Sequence, residues 1–291
     1  MRLASIHADL VFHLLAFVPP ARSSSALVRA ASVYCPRYIE FARGALPDGA
    51  FEPCERDATI LSSLAARDEV ATGLQLLAIL HDDVTAALAA ALKGVRELGA
   101  EEVSSPWAQR ALAALPEEPV EIARVAIALA GPDFEEAHER VFGDFARRLL
   151  DAIRPKWNEL EARIGALTTT DVRLSVTLGA HGRGFGKTVI VGTHGLPTDD
   201  LDPIGPLVYA VHEVAVQAAG RALETLGVEA TWARAERIAL VAAEKVLQGT
   251  VIEERWAAWR ASLGTGALIA EADIPEGVVE ATSLALVGPS A

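Results

Sequence analysis

Two polar side chains stand side by side in the apolar stretch PLVYAVHEVAVQAAG, residues 206–220: His212 and Glu213. On a helix, positions i and i+4 share a face. The pattern H-E-x-x-H uses this to aim two imidazoles at one zinc ion. The glutamate beside the first histidine then serves as general base towards ion-bound water. Here the position four after His212 is Val216. His212 shares its face with Val208, Tyr209, Ala215 and Val216, and Glu213 is offset by about 100°. The residues fit a metal site short of one ligand. They also fit a core helix with a hydrogen-bonded histidine and a surface glutamate.

The elements that must position this pair follow from hydrophobic period. TWARAERIALVAAEKVLQGT reads as an amphipathic helix, with a threonine entry at Thr231 and a glycine exit at Gly249. It carries Glu236 and Glu244. Before the His212 helix the texture changes to β-branched residues and glycine, in TTTDVRLSVTLGAHGRGFGKTVIVGTHG. In VRLSVTL, Val172, Leu174, Val176 and Leu178 alternate with Arg173, Ser175 and Thr177, which predicts a half-buried strand. KTVIVG predicts a second strand, and the glycines between predict a hairpin or two adjacent strands. HGRGFGKT spells the end of a phosphate-binding loop, but His181 stands where the first glycine belongs. A strand follows Lys187-Thr188 where that loop needs a helix.

The first half reads as helical. RLASIHADLVFHLLAFV has Leu3, Ile6, Leu10, His13, Leu14 and Phe17 at helical spacing, and Pro19-Pro20 stops it. A short helix is expected in RYIEFARGAL before the turn PDG. Further helices are expected in ERDATILSSLAARDEV, TGLQLLAILHDDVTAALAAALKGVREL and, after Ser105-Pro106, SPWAQRALAAL. PVEIARVAIALAG and PDFEEAHERVFGDFARRLLDAIRPKWNELEARIGAL complete this half, and Pro155 is expected to kink or split the last. IEERWAAWRASLG is a further helix, and EGVVEATSLALVGPSA is ambiguous. The fold class is mainly α with a small β-hairpin or sheet. A soft boundary near residues 165–170 divides a helical region, 1–167, from a core with C-terminal helices, 168–291, unless the two form one continuous domain.

Residues 170–250 resemble the core of a zincin-type metallopeptidase, gluzincin branch. In that family an edge-strand hairpin precedes the H-E-x-x-H helix, and a following helix supplies a glutamate ligand. VRLSVTLGAHGRGFGKTVIVG matches the strand part, LVYAVHEVAVQ the motif helix and WARAERIALVAAEKVL the glutamate helix. The resemblance implies His212 as first ligand, Glu213 as general base, and Glu236, with Glu244 second, as the glutamate ligand. It implies a helical N-terminal half before a zincin-like core. Val216 departs from the pattern, because such zinc sites need three protein ligands and a water. His181 and His194, each flanked by glycine, are the residues that could replace the missing imidazole. Their other reading is as solvated turn residues.

Three functions remain open. The leading expectation is a degenerate metallopeptidase-like protein without standard zinc hydrolysis, binding a peptide or protein partner along the former cleft. The second is an active metal-dependent peptidase or hydrolase using His212, Glu236 and His181 or His194 on zinc, with Glu213 as base. The third is a helical interaction protein in which the motif is accidental. Whether the chain is an enzyme is therefore open, and the cofactor is none or zinc.

The bulk numbers narrow the partners. Net charge is −13 and no basic block appears, which argues against nucleic acid and against an anionic membrane surface. Cys35 and Cys54 are too few for a disulfide scaffold and read as reduced thiols of a cytoplasmic protein. The N-terminal apolar run is broken by His7, Asp9 and His13, unlike a signal core. No stretch is apolar enough to span a bilayer. His81-Asp82-Asp83 reads as a helix end with capping. Glu135, Glu136, His138 and Glu139 read as a solvated helix face.

Overall fold

The computed structural model describes residues 1–17, 36–47, 117–179, 181–263 and 272–288. Cys35, Cys54, Pro19-Pro20, His81-Asp82-Asp83 and the helices expected between residues 55 and 115 lie outside the described residues.

Within them the protein is mainly helical, with one small mixed sheet. Strand β1, Arg2–Leu3, leads into α1, Ile6–Ala16, and α2 is Pro36–Ala45. Helix α3 runs from Glu117 to Arg163 and is followed by a 3-10 turn, Gly165–Thr169. Then come β2, Asp171–Ser175, β3, Gly182–Phe185, and β4, Thr188–Gly192. Four helices complete the order: α4, Gly205–Thr225; α5, Trp232–Leu247; α6, Glu253–Ser262; and α7, Val278–Val287. No helix of the described residues is long and apolar enough to cross a membrane.

The strand order is β1-β2-β4-β3. Strand β2 runs parallel to both β1 and β4, and β3 is antiparallel to β4 at the edge. So the two strands expected from sequence are neighbours but not a hairpin; the hairpin is β3–β4, turning at Gly186 in the left-handed region (φ 59°). The sequence GRGF, expected as turn, is itself the edge strand. Strand β2 is not half-buried. A central parallel strand is covered on both faces, and Arg173, Ser175 and Thr177 are buried alongside Val172 and Leu174. Arg173 is matched there by Asp171 (2.8 Å), and Ser175 and Thr177 by Asp9.

Two other expectations are corrected. Pro155 does not split its helix: α3 is unbroken through Pro132 and Pro155, joining two segments read as separate. Each proline costs one backbone bond, yet apolar positions such as Leu149, Ile153, Trp157 and Leu160 remain buried on a single face. His138 is not on a solvated face. It is buried, and its Nε2 meets Asp9 Oδ2 at 2.9 Å. Glu135, Glu136 and Glu139 are exposed as expected.

The core packs α3, the sheet, α4, α5 and α7 into one apolar cluster. Helix α4 is its centre, buried at Leu207, Val208, Val211, Val214, Ala215 and Ala218 among others. Alanines at 210, 215, 218, 219, 239, 242 and 243 let the α4 and α5 backbones pack closely. Thr231 caps α5, accepting from the Arg234 N–H at 3.4 Å, and Gly249 ends it at φ 73°. Asp202 caps α4, accepting from the N–H groups of Ile204 (3.1 Å) and Gly205 (3.0 Å). Arg255 of α6 pairs with that same carboxylate at 2.7 Å, tying α6 to the start of α4.

Candidate functional site: an imidazole between two carboxyl groups

Helices α4 and α5 bring His212 and Glu236 into contact. His212 Nε2 lies 2.9 Å from Glu236 Oε2, and its Nδ1 lies 3.3 Å from Glu213 Oε1. The side chains are 8 %, 13 % and 14 % exposed for His212, Glu213 and Glu236. The Glu236 contact has the length of a charge-assisted hydrogen bond. The Glu213 contact is longer, because neighbours on a helix point about 100° apart.

Helix α6 forms the wall beside this pair. The Trp259 ring lies edge-on to His212 with centroids 5.0 Å apart, and the Trp256 ring lies at 6.5 Å. Tyr209, one turn before His212, packs on Trp259 at 5.4 Å. Strand β3 forms the opposite wall. A side chain at Gly182 would meet Glu213 Cγ at 3.0 Å and Tyr209 Cβ at 3.1 Å; one at Gly184 would meet Gln217 Nε2 at 2.3 Å. Glycine at these alternate positions is what lets the edge strand lie against α4. The Gly184 backbone hydrogen-bonds Glu213, and Arg183 Nη1 donates to the Gly182 carbonyl at 3.1 Å. Side chains of the chain itself thus engage two edge-strand groups.

Burial alone would lower the His212 pKa. The charge of Glu236 and the hydrogen bonds that the imidazole donates to both carboxylates outweigh it, and the imidazole is pushed up from 6.5 to about 10. Burial would raise Glu213, but its contact with His212, the charge of Arg183 and the Gly184 backbone bond hold it below the usual range. His212 is therefore an imidazolium at neutral pH.

That charge makes stability depend on pH. An unfolded histidine titrates near 6.5, while the folded one holds its proton to about 10. The stabilisation is fully present below about 6.5 and is lost as pH rises through about 10. Wild-type urea midpoints should fall from pH 7 to 10, by up to about 1.4 kcal/mol per pH unit. In His212→Gln that decline should vanish. A wild-type profile flat across this range would contradict the charged triad.

The other candidate ligands do not join the site. Glu244 is exposed and pairs with Arg260 of α6. His194 is half-buried rather than solvated, in the left-handed region (φ 62°), its ring 4.7 Å from that of Tyr209. Burial lowers its pKa to about 4, with Asp202 opposing and Arg255 adding to the shift. His181 also packs on Tyr209, at 6.1 Å. Among the described residues no three His, Cys, Asp or Glu side chains form a group that could hold a metal ion.

The donor set therefore does not fit a zinc ion of the zincin kind. A catalytic zinc of that kind needs three protein ligands, and here only His212 and Glu236 meet, at 2.9 Å. Both imidazole nitrogens face carboxyl groups, and Val216 packs against the core where the second imidazole would stand.

Sequence reasoning missed Trp256 and Trp259, which read only as apolar positions of a helix, and the edge strand. The alternate glycines of GRG were its signal: spacing of two puts both on one face of a strand. Compared with family models, curated proteins and solved structures, the chain matches none.

Proposed function

We propose that this chain is a zincin-related scaffold without standard zinc hydrolysis, which binds a peptide or protein partner along the face that α4 presents to β3 and α6. The observation that carries the reading is the engagement of both His212 nitrogens by Glu213 and Glu236 (3.3 and 2.9 Å). A catalytic zinc site needs a neutral imidazole and an open coordination position; here a charged triad stands in its place. The order of edge strand, His-Glu helix and glutamate helix supports the zincin relation, since it keeps the family's succession while Val216 removes a ligand. The edge position of β3 supports recognition of an extended chain. Such a chain must displace Arg183 from the Gly182 carbonyl as it enters.

Zinc titration by calorimetry, on wild type, His212→Ala and Val216→His, tests the reading. Wild type should show no tight site that depends on His212. Val216→His, with a second imidazole on the same face, should acquire zinc binding, because Glu236 and His212 already meet. Tight wild-type binding that disappears in His212→Ala would overturn the proposal and favour a metal-dependent hydrolase.

A further inference from the structure

Helix α6 is held to the rest of the protein by little. Of its ten residues only Trp256 is buried, whereas α5 buries eight of its sixteen. Ile252, fully buried, pins the chain just before the helix. From there Trp256, Trp259 and Arg260 form one narrow stripe of partly or fully covered side chains, spaced by three and four. Ala257, Ala258, Ala261, Ser262 and Leu263 are exposed. The remaining ties lie at the surface. Arg255, 51 % exposed, pairs with Asp202 at 2.7 Å, and Arg260 pairs with Glu244, itself 51 % exposed. Exposed ion pairs contribute little and are screened by salt.

The seated position also leaves a bond unmade. Trp256 Nε1 is buried and has no hydrogen-bond partner among the described residues. An indole N–H only donates. Its burial without an acceptor opposes the packing that holds the ring, and a position open to water relieves that cost. Beneath α6 lies the site. The Trp259 ring rests on His212 at 5.0 Å and on Tyr209 at 5.4 Å, and it packs on the Trp256 ring at 5.1 Å. With both rings seated the His212 side chain is 8 % exposed. The turn before α6 suits a pivot. Gly249 is in the left-handed region (φ 73°), and the bonds of the turn, from the Thr250 N–H to the Leu247 carbonyl and from the Glu253 N–H to the Thr250 carbonyl, are local to it. They survive a swing of the helix.

We propose that α6 is a lid over this site. It swings as a unit about the turn at Gly249–Ile252, parting Arg255 from Asp202 and Arg260 from Glu244 and lifting Trp256 and Trp259 away. His212 and Tyr209 are then open to water, while α4, α5 and the sheet stay folded. The inference goes beyond the reading above and does not depend on it, since the opening belongs to the chain alone, with or without a metal ion or a peptide.

Native-state hydrogen exchange of the whole chain at pH 7 tests this. Backbone amides of residues 257–262 should exchange together, at least about a hundredfold faster than those of residues 211–219 in α4 and 238–243 in α5, as expected of a unit that opens below the global limit. Their exchange should also depend less steeply on urea, because the opening exposes little surface. Raising sodium chloride from about 0.1 M to about 1 M shortens the screening length from about 10 Å to about 3 Å. That should speed α6 exchange about threefold to tenfold, the equivalent of two exposed pairs, and leave α4 unchanged. Arg255→Gln should speed it about twofold to fivefold, with Asp202 still capping α4. In protein labelled with 15N-tryptophan, the Trp256 indole N–H, assigned from its loss in Trp256→Phe, should exchange through the same opening as the α6 amides. Exchange of α6 as slow as that of α4 would make it a fixed wall and overturn the inference. So would protection graded from Ser262 backwards, which is fraying, or a Trp256 indole as slow as α4 beside fast α6 amides, which is local unravelling with the ring still seated. The zinc titration decides the non-hydrolytic reading separately, whichever of these is found.

Discussion

His212→Ala is expected to lower the unfolding free energy at pH 7 by about 3–5 kcal/mol, the cost of leaving buried charge without its partner. The reason lies in what remains. Glu236 and Glu213 lose the group between them, both stay largely buried, and nothing else in the described structure sits within hydrogen-bonding distance of Glu236. Removing the opposite end is informative in a different way. Glu236→Gln keeps an acceptor oxygen for the imidazole but deletes the charge that outweighs burial. His212 should then titrate lower, and the decline of stability above pH 7 should move to lower pH. Glu236→Ala combined with His212→Ala should cost less than the sum of the two single changes, since the second removes a partner already orphaned. Urea unfolding of the four proteins at pH 7 measures this. Additive losses would mean that the 2.9 Å contact contributes no coupling, and that His212 and Glu236 do not act as a pair.

The same triad marks how far the sequence could be read. The succession of helices α4 and α5, their caps at Thr231 and Gly249, and the apolar face around His212 all follow from period and capping residues. Those signals are local, and the described elements agree with them. That Glu236 rather than Glu244 faces His212 came from resemblance alone. Both are on one helix, and only packing separates them: Glu236 turns towards α4, while Glu244 reaches Arg260 at the surface. Strand β1 carries no readable signal, being two residues long, and exists because Arg2 and Leu3 find β2 more than 160 residues away. The half-buried reading of β2 failed for a related reason. Alternation of polar and apolar residues indicates water on one face only if the polar residues have no distant partners. Arg173, Ser175 and Thr177 do have partners, and two of them meet the same aspartate in α1.

That aspartate sets the second large effect. Asp9 is 3 % exposed and ties three elements together. Its Oδ2 faces His138 Nε2 of α3 at 2.9 Å, and its Oδ1 accepts from the hydroxyls of Ser175 and, at 3.2 Å, Thr177. Its backbone carbonyl also accepts from the Thr177 hydroxyl at 2.8 Å. Asp9→Ala leaves His138 and Ser175 buried without that partner. Each such group costs about 1–3 kcal/mol, so a loss of about 3–5 kcal/mol is expected, comparable to that of His212→Ala. Asp9→Asn keeps an acceptor for the hydroxyls, and it should lose much less than Asp9→Ala if hydrogen bonding to Ser175 is the larger part. If the ion pair with His138 dominates, Asp9→Asn should cost nearly as much as Asp9→Ala, and His138→Ala should then add little to either. Chemical unfolding followed by circular dichroism separates the two cases. A loss below about 1 kcal/mol for Asp9→Ala, the range of surface substitutions, would show that His138 and Ser175 find other partners. The tie between α1, α3 and the sheet would then rest on apolar packing alone.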